Sequence, residues 1–202
     1  MKNLPILVLF FLFISKQVYS EEILAPFGFN WGLTKIEIEE LGIQFTNCKA
    51  IGIIESCQTN QPIKKVSFGS IYGLYFSKNR GLNKIVMASN TITADIAGTQ
   101  GINLYREIKN SLIEKYGPPE SYEYVGGKVY KEYDEFYQCL KYSGCGAWMS
   151  LWNPVQGGAL TIELEGISRG KGSLVLTYES KNWGKIVDLY NKTKGLVDKE
   201  AL

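Results

Sequence analysis

The chain has 202 residues, with 22 Lys+Arg, 20 Asp+Glu and no histidine. The missing histidine removes Ser-His-Asp and Cys-His sites and the usual zinc and haem ligands. The near-balanced charge removes the basic footprint of a nucleic-acid binder, and the length suits a single domain.

The N-terminus reads as an export signal. Met1-Lys2-Asn3 is a short positive start, Leu4–Ile14 is apolar throughout, and Val18-Tyr19-Ser20 puts small residues at the −3 and −1 positions of a cut before Glu21. The apolar run is shorter than the roughly 20 residues that span a bilayer. No stable membrane insertion is expected, and the mature chain is expected to be periplasmic or secreted. Loss of Lys2 and Lys16 with residues 1–20 leaves as many acidic as basic residues.

Within the mature chain, Leu33–Gly42 carries a short helix. Thr34 with Glu37 forms a capping box, Leu33 and Ile38 are placed for a hydrophobic staple, and Gly42 supplies the stop. Strand patterns follow at 43–48, 53–58, 64–68, 71–77 and 82–89, the last two flanking the turn Lys78-Asn79-Arg80-Gly81. The polar stretch Asn90–Gly101 is the best place for an internal boundary. A second helix over 102–116 is read from Ile102, Tyr105, Ile108, Leu112, Ile113 and Tyr116 at helical spacing, and Gly117-Pro118-Pro119 ends it. Strands are expected at 121–125, 128–133, 147–153, 159–166 and 173–179, and a last helix over about 183–194. In 159–166, Leu160, Ile162 and Leu164 alternate with Thr161, Glu163 and Glu165. The pattern predicts an α+β fold of two helix-plus-antiparallel-sheet halves, 21–100 and 101–202, the second ending in the C-terminal helix.

Four cysteines in an exported chain imply disulfides, and four allow three connectivities. Grouping favours Cys48–Cys57 and Cys139–Cys145, one pair in each half. A two-residue type II′ turn at Gly52-Ile53 would bring 48 and 57 face to face. The spacings are unlike those of a Cys₄ metal site, so no metal or other cofactor is expected.

Gly32-Leu33-Thr34, Glu37-Ile38 and Leu41-Gly42 resemble the helix opening of the SmpA/OmlA outer-membrane lipoproteins. They also resemble the beta-lactamase inhibitory proteins, whose tandem helix-plus-four-strand repeats each hold a local disulfide. The motif spans eleven residues with a spacing one residue shorter than the usual one. The second helix lacks the Gly-Met-Thr opening, and the lipid-attachment cysteine of the lipoproteins is absent. The resemblance implies an α+β repeat fold in an exported protein and carries no binding residue with it. Lys115-Tyr116-Gly117-Pro118-Pro119 also resembles small bacterial secreted proteins.

Chemistry is sparse. Glu163 and Glu165 share a strand face and could form an acid/base pair, but their alternation with apolar residues reads as a solvated strand face. Gly166–Gly172 fails the phosphate-loop spacing and reads as a hairpin turn. Asn191-Lys192-Thr193 is a glycosylation sequon, relevant only in a eukaryotic source. The positive signal is aromatic: Tyr122, Tyr124, Tyr130, Tyr133, Tyr137, Trp148 and Trp152, joined by Phe136 and Tyr142. Tyr and Trp are enriched at interfaces, although such residues also fill sheet cores. Residues 122 and 124 share one strand face, and 148 and 152 share another; one of these must be core. The expectation is a non-catalytic envelope protein that binds a protein partner through an aromatic-rich sheet face, of the inhibitor, immunity or envelope-assembly type. A small-ligand or glycan binder is the alternative, and a carboxylate-dependent hydrolase using Glu163 and Glu165 comes third.

Overall fold

The computed structural model describes residues 22–126, 129–154 and 157–201. The expected signal peptide and its cut before Glu21 lie outside these residues.

The described residues begin with a stretch, ahead of the first helix, tied down by its aromatic side chains. The Trp31 indole N–H donates to the Ile23 carbonyl at 2.8 Å, and Phe27 meets Tyr72 and Tyr178 edge-on. Helix α1 (Lys35–Glu40) begins where the capping box puts it: Thr34 Oγ1 accepts from the Glu37 N–H, and Glu37 Oε2 accepts from the Thr34 N–H. Gly42, at φ +86°, ends it. Strands β1 (Thr46–Ile51), β2 (Ile54–Thr59), β3 (Gly69–Ser77) and β4 (Gly81–Ser89) form a meander. The β1–β2 turn is the two-residue loop Gly52-Ile53, with Gly52 at φ +61°.

The second half repeats the plan. Helix α2 (Thr99–Tyr116) leads to β5 (Glu120–Tyr124), α3 (Phe136–Lys141), β6 (Ala147–Trp152), β7 (Ala159–Ser168), β8 (Lys171–Glu179) and α4 (Trp183–Ala201). Gly166–Gly172 is the β7–β8 hairpin, turning at Arg169-Gly170. The eight strands form one antiparallel sheet in the order β1-β2-β3-β4-β8-β7-β6-β5. The last strand of each half therefore meets the other at a central β4–β8 seam, and the first strand of each half forms an outer edge. The fold is α+β, as the pattern of elements indicated.

Two local readings change. The alternation at 64–68 is no strand: Val66 and Phe68 turn into the core from a loop. The described part of 128–133 is likewise no strand. Helix α3 just beyond it was not foreseen, because six residues without a side-chain cap carry no autonomous helix signal. Its cause is tertiary. Phe136 and Tyr137 dock where Gly98, Gly101, Gly166 and Gly172 leave no Cβ in the way.

One face of the sheet, the first face, carries the core. Leu74, Ile85, Met87, Leu160, Ile162 and Leu174 are fully buried there under α2, α3 and the N-terminal stretch. The stretch between β4 and α2 is bonded to the second half: Ile92 and Gly172 exchange both backbone hydrogen bonds.

Both disulfides are local, Cys48–Cys57 across β1 and β2, and Cys139–Cys145 in the β5–β6 connection. The first bridges a half's edge strand to its second strand, and the second closes a loop between the other half's edge strand and its second strand. Two disulfides place the protein in an oxidising, non-cytoplasmic compartment. Closing such short loops contributes about 2–3 kcal/mol each by the chain-entropy model. Cys→Ser replacement of either pair should lower the melting temperature by roughly 5–10 °C. A calorimetric scan checks this, and an unchanged transition would refute it.

The core also buries phenols. Tyr105, Tyr137 and Tyr178 all have pKa values raised well above the ordinary tyrosine value, chiefly by burial. The Tyr137 phenol is raised further by Asp95. A raised folded-state value means that stability is complete below about pH 10, where unfolded tyrosine titrates, and is lost as pH rises toward the folded values. Absorbance at 295 nm should therefore show these three ionising only in one cooperative step, coincident with loss of the far-UV signal. Smooth titration of all 13 tyrosines near pH 10 with the fold intact would contradict the burial.

Candidate binding face

The second face of the sheet is organised by register. Ile71, Ala88, Val175, Glu163, Met149 and Tyr122 are successive cross-strand neighbours, one from each of six strands. A parallel row runs Gln58, Gly73, Val86, Thr177, Thr161, Leu151 and Glu120. With strands about 4.8 Å apart, a six-strand row is about 24 Å long. Most of these side chains are small or uncharged and half-buried by one another; Val175 is buried, while Ile71, Tyr122 and the acidic Glu120 are exposed.

A third row marks where α4 takes over. Ser56, Tyr75, Lys84, Glu179 and Ala159 are neighbours. The Trp183 ring meets Tyr75 edge-on, and Lys84 lies 5.3 Å from the Trp183 ring while pairing with Glu179 at 2.8 Å. Helix α4 continues past the β1–β2 turn, where Tyr190 abuts Gly52. It thus caps one end of the second face and borders the two rows above.

The seven aromatic residues separate into three groups. Tyr122 and Tyr124, 44% and 53% exposed, stand on the second face of edge strand β5. Tyr133 is the most exposed at 76%, and Tyr130 packs edge-on against Tyr142 beside it. Tyr137, Trp148 and Trp152 belong to the first face; the partner-binding expectation is corrected for the buried Tyr137 and Trp152, while Trp148 stays half-buried. Tyr137 is fully buried, with its hydroxyl donating to Asp95 Oδ2 at 2.8 Å. Trp152 is buried, with its indole N–H donating to the Gly117 carbonyl at 2.8 Å. Trp148 packs edge-on against Phe136 and Tyr105. The physical reason is parity: β6 presents 148, 150 and 152 to α2, while its partner β5 presents 122 and 124 to the other side.

Sequence reasoning missed most of the second face. Val86, Val175, Thr177, Met149 and Leu151 sit in three different strands, and Val86 joins the others only through the β4–β8 seam. The alternation in β7 was the one local signal, since it separates Thr161, Glu163 and Glu165 from the core. Glu163 departs from the solvated-face reading. It is half-buried between Val175 and Met149. Its carboxyl is raised above its ordinary value by burial and by Glu165, with Lys84 opposing. Glu165 is exposed.

No protein-family model, curated protein or solved structure matches this chain.

On the first face, a polar chain ties the edge strand down. The Tyr105 hydroxyl lies 2.7 Å from Ser150 Oγ and 3.0 Å from Glu123, Ser150 Oγ lies 2.7 Å from Ser121 Oγ, and Lys109 pairs with Glu123. It links α2 to β5 and β6 and fixes the strand that carries Tyr122 and Tyr124. Glu55 is grouped with Cys48 and Cys57 within ligand distance. Both sulfurs are in a disulfide, so they offer no thiolate to a metal. Among the described residues, no helix is long and apolar enough to cross a membrane.

Proposed function

We propose that this chain is a non-catalytic exported protein, periplasmic or secreted, that binds a protein partner in the cell envelope through the second face of its sheet. The reading covers roles of the inhibitor, immunity and envelope-assembly type. The observation that supports the reading is the pair of nearly uncharged rows across the sheet, bordered by Tyr122 and Tyr124. An open sheet strip about 24 Å long is suited to another protein; small molecules take concave pockets that enclose them. Few charges at the centre and a share of tyrosine are features of protein interfaces.

The test is capture from an envelope fraction with wild type and face variants in parallel. Val86→Arg, at the centre, should abolish retention of the partner. Tyr122→Ala should weaken it about tenfold, as for an aromatic contact residue. Both variants should melt close to wild type, because their side chains lie outside the core. A partner retained equally by Val86→Arg would sink the proposal.

One observation favours a small ligand at a different place. A hollow of about 280 Å³ lies between Tyr130, Tyr133, Phe136 and Trp148. The aromatic rings that line it offer apolar faces with polar tips to a sugar. Saturable tryptophan quenching by cell-wall sugars, lost in Trp148→Phe, would support this; a flat response would remove it.

A further inference from the structure

Glu163 constrains what can sit on the second face. It is the one charged side chain in its six-strand row. Its cross-strand neighbours are Val175 and Met149, and its carboxylate takes part in none of the ion pairs of the described residues. The nearby cations are engaged elsewhere: Lys84 pairs with Glu179, and Lys141 donates to the Ile167 carbonyl at 2.8 Å. Beside Glu163 and Glu165, a groove of about 470 Å³ runs past Ala147 and Met149 to Ser143 in the disulfide loop, with Lys141, held by the Ile167 carbonyl, also on its wall.

A partner that covers this row strips water from Glu163. An unpaired carboxylate moved out of water costs several kcal/mol unless a cation or donor meets it. A partner surface with neither a cation nor a hydrogen-bond donor at that position is therefore disfavoured, and an acidic one most of all. We propose that the protein partner inserts an arginine or lysine side chain into the groove at Glu163 and Glu165. This rests on the docking reading of the second face. Here Glu163 sets specificity, the apolar rows supply contact area, and the cation on the partner decides which surfaces are accepted.

The probe is a phage-displayed random 12-residue peptide library selected on the immobilised full chain with its disulfides intact. Peptides that fail to bind Val86→Arg are directed to the face. These should be enriched in arginine and lysine over the unselected library, and synthetic copies should bind Glu163→Gln at least tenfold more weakly. Glu163→Gln removes an unpaired half-buried charge, so it should melt no lower than wild type. Glu163→Lys, a second variant, should reverse the preference toward acidic peptides. Face-directed peptides without basic enrichment, or indifferent to Glu163→Gln, overturn the cation inference and leave face docking standing. Selections that yield no face-directed peptide overturn the docking reading itself and this inference with it.

Discussion

Gly166→Ala is expected to destabilise the protein by about 3 kcal/mol or more, and to lower its melting temperature by roughly 6–12 °C. A Cβ at residue 166 would lie 1.8 Å from the Tyr137 carbonyl oxygen and 2.9 Å from the Lys141 backbone nitrogen. Both are backbone atoms of or next to α3, so no rotamer change relieves the clash. Either α3 lifts off the sheet or β7 bends away. Gly172, paired with Gly166 across the β7–β8 ladder, is equally constrained, since a Cβ there would meet the Tyr137 ring at 2.1 Å. The informative control is Gly195→Ala. Nothing lies within 4 Å of a Cβ at that exposed position in α4, and alanine's helix preference should make the change neutral or stabilising by up to about 1 kcal/mol. Differential scanning calorimetry on the three proteins decides the matter. Similar melting for Gly166→Ala and Gly195→Ala would mean that α3 is not seated on those glycines.

Asp95→Ala should cost about 3–5 kcal/mol, read from the shift of the guanidinium chloride midpoint at neutral pH. Asp95 is 4% exposed. Its Oδ2 accepts from the Gly101 N–H at 3.0 Å and from the Tyr137 hydroxyl at 2.8 Å. Alanine strands both donors in the interior, and each unsatisfied buried group costs about 1–3 kcal/mol, more where a charge took part. The carboxylate clamps the first turn of α2 to α3, so its loss also frees the β5–β6 connection. Asp95→Asn keeps one acceptor oxygen and should cost about half as much. Near-UV circular dichroism should weaken in Asp95→Ala as Tyr137 loses its fixed setting. A midpoint shift worth less than about 1 kcal/mol would show that water replaces the clamp.

These two residues also show where sequence reading stops. Asp95 lies in a polar stretch that invites description as a linker, and nothing nearby in the chain signals its partner 42 residues on. Gly166 sits in a segment with the look of a hairpin turn, which it borders, yet its demand for glycine comes from α3 above it. Both are long-range requirements, invisible to local pattern. The same holds for the aromatic cluster. Alternation within β6 groups Trp148 with Trp152, but only the placement of α2 makes that group core and leaves Tyr122 and Tyr124 outside.

Local physics was sufficient for several elements. The Thr34–Glu37 capping box sets the start of α1 because its atoms are three residues apart. The Gly52-Ile53 turn brings Cys48 to Cys57 because a two-residue loop fixes hairpin register. The Leu160–Leu164 alternation marks β7 because a strand's side chains have a period of two. The sequence by itself therefore determined the α+β class, the order of most elements and the local disulfides. Only the tertiary structure decided that the two meanders join through β4 and β8, that a glycine seat makes α3 a helix, and that one carboxylate stands within an uncharged row of six strands. That row is assembled from residues far apart in the chain. Its composition is a property of register and strand order, which depend on the whole sheet forming at once.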